Sequence, residues 1–124
     1  MFENDYFERM IKTVINGLVS IFKNKNSIES SIENDSVILK EDQLLEIMIK
    51  KYISEGQINK AEDMLFEAIE DRKSSRNLEL AVFFYETISK WDDEKLNKCN
   101  FSKAEIVDGL NEVKSLYNDE IEND

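Results

Sequence analysis

Gly56-Gln57-Ile58-Asn59-Lys60-Ala61-Glu62-Asp63-Met64-Leu65-Phe66-Glu67-Ala68 is the stretch that decides the fold. Ahead of it, Leu44, Leu45, Met48, Ile49, Tyr52 and Ile53 recur at helical spacing and predict a helix over about residues 41–54. Gly56 stands where a left-handed residue ends such a helix at little cost. Asn59 is the expected N-cap of the next helix, with Glu62 three residues on as its capping-box partner. Ala61, Met64, Leu65, Ala68 and Ile69 then face inward, and fraying is expected over 72–75. Small Ala61 and Ala68 let two helices approach, and Leu65 fills the groove between them.

The same period continues on both sides. Phe7, Met10, Ile11, Val14, Ile15, Leu18, Ile21 and Phe22 predict an amphipathic helix over about 6–23, capped by Asn4 or Asp5. Residues 24–36 are polar and rich in Ser, Asn and Glu, and read as a linker in which Ile28 and Ile32 are too few to build a core. A helix from about 77 to 91, with Leu78, Ala81, Val82, Phe84, Tyr85, Ile88 and Trp91, is apolar over more than half its surface and is expected at the centre. This helix either stops at Trp91 or continues to Leu96, since Asp92 offers a cap for a new turn. Ser102 and Glu105 form an S-x-x-E box, and Phe101 and Ile106 sit where a hydrophobic staple needs them. Ile106, Val107, Leu110, Val113 and Tyr117 carry that last helix into the core, and an acidic, frayed tail is expected over 119–124.

Composition agrees with this reading. The chain has 124 residues, no proline and three glycines, whereas strand-rich domains need many turns. With 41% hydrophobic residues it supports a single core without a disulfide or metal staple. We therefore expect one all-α domain of about five helices over 1–124: an amphipathic helix over 1–23, a polar linker over 24–36, a bundle over 37–118 and the tail.

Charge and residue inventory narrow the function. Sixteen Lys and Arg against 27 Asp and Glu leave a formal charge of −11, which repels phosphate backbones, so neither nucleic acid nor an anionic membrane is an expected partner. No apolar run approaches the ~20 residues that span a bilayer. The opening Met1-Phe2-Glu3-Asn4-Asp5 is acidic where a signal peptide is basic, and Cys99 has no second cysteine to pair with; a cytoplasmic location is expected. Histidine is absent, which removes the commonest general base and metal ligand.

The chemistry-bearing patterns are weak. Asp92 with Asp93, Glu62 with Asp63 and Glu70 with Asp71 are carboxylate pairs on polar faces or turns, where a solvated surface is the plain reading. Asn34-Asp35-Ser36 lacks the rest of a calcium loop. Cys99, beside Lys98, reads as a half-buried inert thiol. Neither a nucleophile–base pair nor a glycine-rich phosphate loop is present, and no enzyme activity, cofactor or metal is expected. Phe83 is the exception to the pattern of its helix, projecting among Glu79, Glu86 and Lys90; it marks either a covered position or a contact surface.

The central hairpin resembles a tetratricopeptide unit, which pairs two antiparallel helices in about 34 residues. Tyr52 falls at the first-helix aromatic, Gly56 and Ile58 at the turn, Ala61 and Ala68 at the small positions and Leu65 at the large one between them. Ile49 and Lys73 depart from the pattern, and a second copy around Phe101, Lys103, Ala104 and Glu105 breaks down at Asp108. In that family the first helix of each unit lines the ligand groove, so the resemblance implies a partner-binding role for Gln43, Glu46 and Lys50, to which exposed Phe83 is added. The opening Asp5-Tyr6-Phe7-Glu8-Arg9-Met10-Ile11 is similar to a family of short uncharacterised proteins from clostridia and related bacteria. The function expected is a non-catalytic protein-interaction module that binds a protein or peptide partner. The alternative is a self-associating structural or regulatory protein, a homo-oligomer with the first helix as its interface.

Overall fold

The computed structural model describes residues 6–20 and 36–122. These form six α-helices and no strand: α1 over 6–20, α2 Ser36–Ser54, α3 Ile58–Asp71, α4 Ser75–Ser89, α5 Asp93–Lys98 and α6 Lys103–Glu122. The expected caps Asn4 and Asp5, the apolar Ile21 and Phe22, and nearly all of the linker with Ile28, Ile32, Asn34 and Asp35 lie outside the described residues.

α4 is central, as its apolar surface requires. It packs on α2, α3 and α6 and buries Leu78, Leu80, Ala81, Phe84, Tyr85 and Ile88. α3 adds Ile58, Ala61, Leu65 and Ile69, and α6 adds Ile106, Leu110, Val113 and Tyr117. α1 enters the same core through Phe7, Ile11, Val14 and Leu18. Its Gly17 faces Lys114 of α6, and the Lys103 ammonium lies 5.2 Å from the Phe7 ring centre. The first helix is therefore covered by its own chain.

The α2–α3 turn follows the glycine. Gly56 has φ 75°; its N–H donates to Ile53 O at 3.1 Å and that of Gln57 to Tyr52 O at 2.9 Å, the paired bonds of a Schellman motif. The same motif ends α5, with Asn100 at φ 57°, and the two turns touch: Asn59 Nδ2 donates to Asn100 O at 3.0 Å. Half-buried Cys99 packs against Gly56 there.

Several sequence expectations need correction. The Asn59–Glu62 capping box does not form. Helix α3 starts at Ile58, which is fully buried and drawn into the core, with Gln57 at the cap. Asn59 instead reaches Asn100, and Glu62 accepts from the Tyr85 hydroxyl at 2.5 Å. Residues 72–75 are pinned rather than frayed: Arg72 pairs with Asp42, Asn77 Nδ2 donates to Ala68 O and Arg72 O, and the Tyr117 hydroxyl donates to Ser74 O at 2.7 Å. Ser74 caps α4 by accepting from Asn77 N, which starts that helix two residues early. The sixth helix is the short α5, separated from α4 because Asp92 caps it by accepting from Lys95 N. α6 continues to Glu122, so most of the expected acidic tail is helical. Leu44, placed on the inner face of α2, is 59% exposed; Asp42 and Ile49, seven residues apart, set the buried stripe instead. The Ser102 box does cap α6, with Glu105 N donating to Ser102 Oγ at 3.2 Å, and Phe101 and Ile106 are buried beside it.

Candidate functional site

A cleft opens where α2 crosses α4. Asp42, Glu46 and Lys50 lie on one stripe of α2, at successive helical turns. Arg76, Glu79, Leu80 and Phe83 lie on the facing stripe of α4, and Asn77 completes the wall. The enclosed space is about 240 Å³. That is below the usual range for small-molecule pockets, roughly 300–1,000 Å³, and suits one or two side chains of a partner.

The floor is a charged junction. Asp42 is 7% exposed. Its Oδ1 accepts from Arg72 Nη2 at 2.6 Å, and its Oδ2 lies 3.4 Å from Arg76 Nε. Burying a carboxylate is costly unless it is paired, and the two guanidinium groups from the α3–α4 junction provide the pairing. One hydrogen-bonding atom on each side is left over: among the described residues, Asp42 Oδ2 accepts no hydrogen bond and Arg72 Nη1 donates none.

The rim is mixed. Lys50 Nζ donates to Glu46 Oε2 at 2.8 Å and stands 5.3 Å from the Phe83 ring centre, within cation–π range. Phe83 is 39% exposed. Leu80 beneath it supplies the apolar part of the wall. Outside the rim, Leu44 and Ile47 expose 59% and 63% of their surfaces on α2.

Three of the four residues singled out from the sequence thus meet in one place: Glu46, Lys50 and Phe83. Gln43 is exposed on α2 and does not line the cleft. Sequence reasoning missed Asp42, Arg76, Asn77, Glu79 and Leu80. A signal existed, because Arg76, Glu79, Leu80 and Phe83 share one stripe of α4 at spacings of three and four.

A second groove, between α3 and α6, is lined by Glu62, Phe66, Glu105, Asp108, Gly109 and Glu112. Burial pushes the Glu62 carboxyl up from its ordinary value; the Tyr85 hydrogen bond opposes this, and Glu105 and Asp63 reinforce it. Burial, and then the Glu62 carboxylate, push the Tyr85 hydroxyl up as well. Among the described residues no group of three or more His, Cys, Asp or Glu side chains is arranged to hold a metal ion, and no helix is long and apolar enough to cross a membrane.

No curated protein and no solved structure matches the chain. A family model does: residues 1–118 match a family of unknown function (DUF6483), and the chain belongs to that family.

Proposed function

We propose that this protein is a non-catalytic interaction module that binds a protein or peptide partner in the cleft between α2 and α4. One observation carries the reading: Glu46, Lys50 and Phe83, chosen for exposure and helix position, converge on the walls of that cleft. An aromatic side chain left partly in water beside a charged, indented surface is the composition of an interface anchor.

The finer expectations belong to the same proposal. The α2–α3 hairpin is read as tetratricopeptide-like, supported by the positive φ of Gly56 and the full burial of Ala61 and Leu65. The protein is read as cytoplasmic and bacterial, related to the short clostridial-type proteins whose opening sequence it resembles. The charge of −11 disfavours nucleic acid as the partner. Self-association through α1 has less support, since Phe7, Ile11, Val14 and Leu18 are buried against the same chain.

Site-specific photocrosslinking tests the proposal. A benzophenone amino acid is placed at Phe83 or, as control, at exposed Glu67 on α3, and the full chain is irradiated in its native cell. A discrete adduct from position 83 and none from position 67 is expected. No adduct, or the same adducts from both, rejects the cleft as the binding site.

A further inference from the structure

We propose that two copies of this chain associate head to tail, the outer face of α2 on one copy seating in the α3–α6 groove of the other. Neither surface belongs to the α2–α4 cleft.

The outer row of α2 is Lys40, Leu44, Ile47 and Lys51, at spacings of four, three and four. Leu44 and Ile47 are well exposed, and half-buried Met48 adjoins them. Neighbouring apolar side chains left in water on one helix form a docking face. Lys40 and Lys51 end the row; both are exposed, and among the described residues neither ammonium has an ionic partner. The nearby carboxylates are placed otherwise. Glu46 is held by Lys50 on the cleft side, and Glu55 lies past the helix end and accepts from Gln57 Nε2. Glu41 borders the row beside Lys40. The face does not match itself: an antiparallel α2–α2 contact that sets Leu44 on Ile47 also sets Lys40 on Lys51, and like charges in contact are costly.

The α3–α6 groove is the complement of that row. Glu62, Glu105, Asp108 and Glu112 line it, half-buried Phe66 is its apolar part, and among the described residues no lysine or arginine lines it. The lysines of α3 and α6 are engaged elsewhere: Lys60 stands over the Tyr52 ring, Lys103 faces Phe7 and Asp93, and Lys114 faces Gly17 of α1. Gly109 leaves a gap in the α6 row between Glu105 and Glu112, where a side chain of an opposing helix can enter. The enclosed space, about 240 Å³, suits one or two side chains such as Leu44 and Ile47. By helical rise Glu105 and Glu112 stand about 10 Å apart and Lys40 and Lys51 about 16 Å, a difference that flexible lysine stems span. Covering Leu44, Ile47 and Phe66 supplies the attraction, and the lysine–carboxylate pairs set the orientation. At physiological salt the repulsion between two chains at −11 is screened beyond about 8 Å, so the charges at the contact decide.

Sedimentation equilibrium of the full chain at physiological salt tests this. The mean mass should rise with concentration between about 10 μM and about 1 mM, the range of a contact one helix wide. Two double variants each break one surface: Leu44→Gln with Ile47→Gln on α2, and Glu105→Lys with Glu112→Lys in the groove. Each alone should associate at least about tenfold more weakly than the parent. Mixed in equal amounts they should form a one-to-one complex, because the intact groove of the first accepts the intact α2 face of the second; a heterologous contact requires this and an isologous one forbids it. Phe83→Ala, in the α2–α4 cleft, should leave association unchanged, so this result and the crosslinking result above are independent. A parent that stays monomeric throughout overturns the proposal. A groove variant that associates as the parent does, or a mixture no heavier than its two components, also overturns it. The four substituted residues are exposed, so circular dichroism of each variant separates lost association from lost fold.

Discussion

Asp42 shows how much one residue decides here. Its carboxylate ties α2 to the α3–α4 junction through Arg72 and Arg76, and it fixes which face of α2 turns inward. Removing one partner of a buried pair strands the other charge. Arg72→Met should therefore cost about 3 kcal/mol, near the lower end for such a break because Arg76 remains. Urea denaturation measures this, and Asp42→Asn in the same background should recover part of the loss. Gly109 is a second such position. A Cβ there would overlap the Tyr85 hydroxyl and the ring edge beneath it. Gly109→Ala would gain ~1 kcal/mol from helix propensity alone, yet it should destabilise by about 1–3 kcal/mol through overpacking. In a Tyr85→Ala background the sign of the alanine effect should reverse. Neither position was legible in the sequence. Asp42 is one of 27 acidic residues and Gly109 one of three glycines, and nothing in the local sequence sets either apart. Both draw their meaning from a partner far along the chain, and periodicity carries no such information.

At the scale of elements, α1 is a part of the bundle whose removal can be predicted. Leu18 is fully buried, and Phe7, Ile11 and Val14 nearly so. Leu18→Ala should cost about 2–5 kcal/mol. Deleting residues 1–20 should leave a chain that melts earlier and elutes as aggregates in size-exclusion chromatography. A truncated chain as stable and as small as expected for a monomer would show that α1 is dispensable. The helices themselves were legible, because an apolar stripe at the helical period is a property of local sequence: all five expected helices are present. Their ends were legible only where a cap bonds within its own turn. Ser102 capped as expected, and Gly56 ended α2 as expected. Asn59 and Glu62 did not, because Asn100 and Tyr85 offered each a partner on another element. The rotation of α2 failed for a related reason. Leu44 scores as core by hydrophobicity, but the ion pair at Asp42 turns it outward. The cleft was half legible: the α2 side came from the hairpin resemblance, and Phe83 from its conflict with its own helix. The floor required the crossing of α2 and α4.

For the whole molecule, the excess of carboxylates becomes a dependence of stability on pH. Glu62 faces Tyr85 from α4 and shares its groove with Glu105, Asp108 and Glu112 of α6, and among the described residues no lysine or arginine lines that groove. Burial holds its carboxyl above the ordinary value of 4.5. The folded chain then keeps this proton to a higher pH than the unfolded chain does. Between 4.5 and the folded-state value the native state binds more protons, so stability falls as pH rises. The contribution is fully present below 4.5 and is lost once the pH passes the folded-state value. Tyr85 adds a second arm of the same sign. Its hydroxyl is raised above 10, so ionisation of the unfolded chain should lower stability further in alkali. A chain at −11 is also relieved of self-repulsion as the pH falls. A difference measurement isolates Glu62. Glu62→Gln keeps an oxygen to accept the Tyr85 hydrogen bond and removes the titration. Denaturation curves of both proteins from about pH 5 to about pH 7.5 should diverge, with the variant gaining on the parent as pH rises. Parallel curves would mean that Glu62 titrates in the folded bundle as it does in the unfolded chain, and that the α3–α6 groove leaves its carboxyl as well hydrated as a surface one.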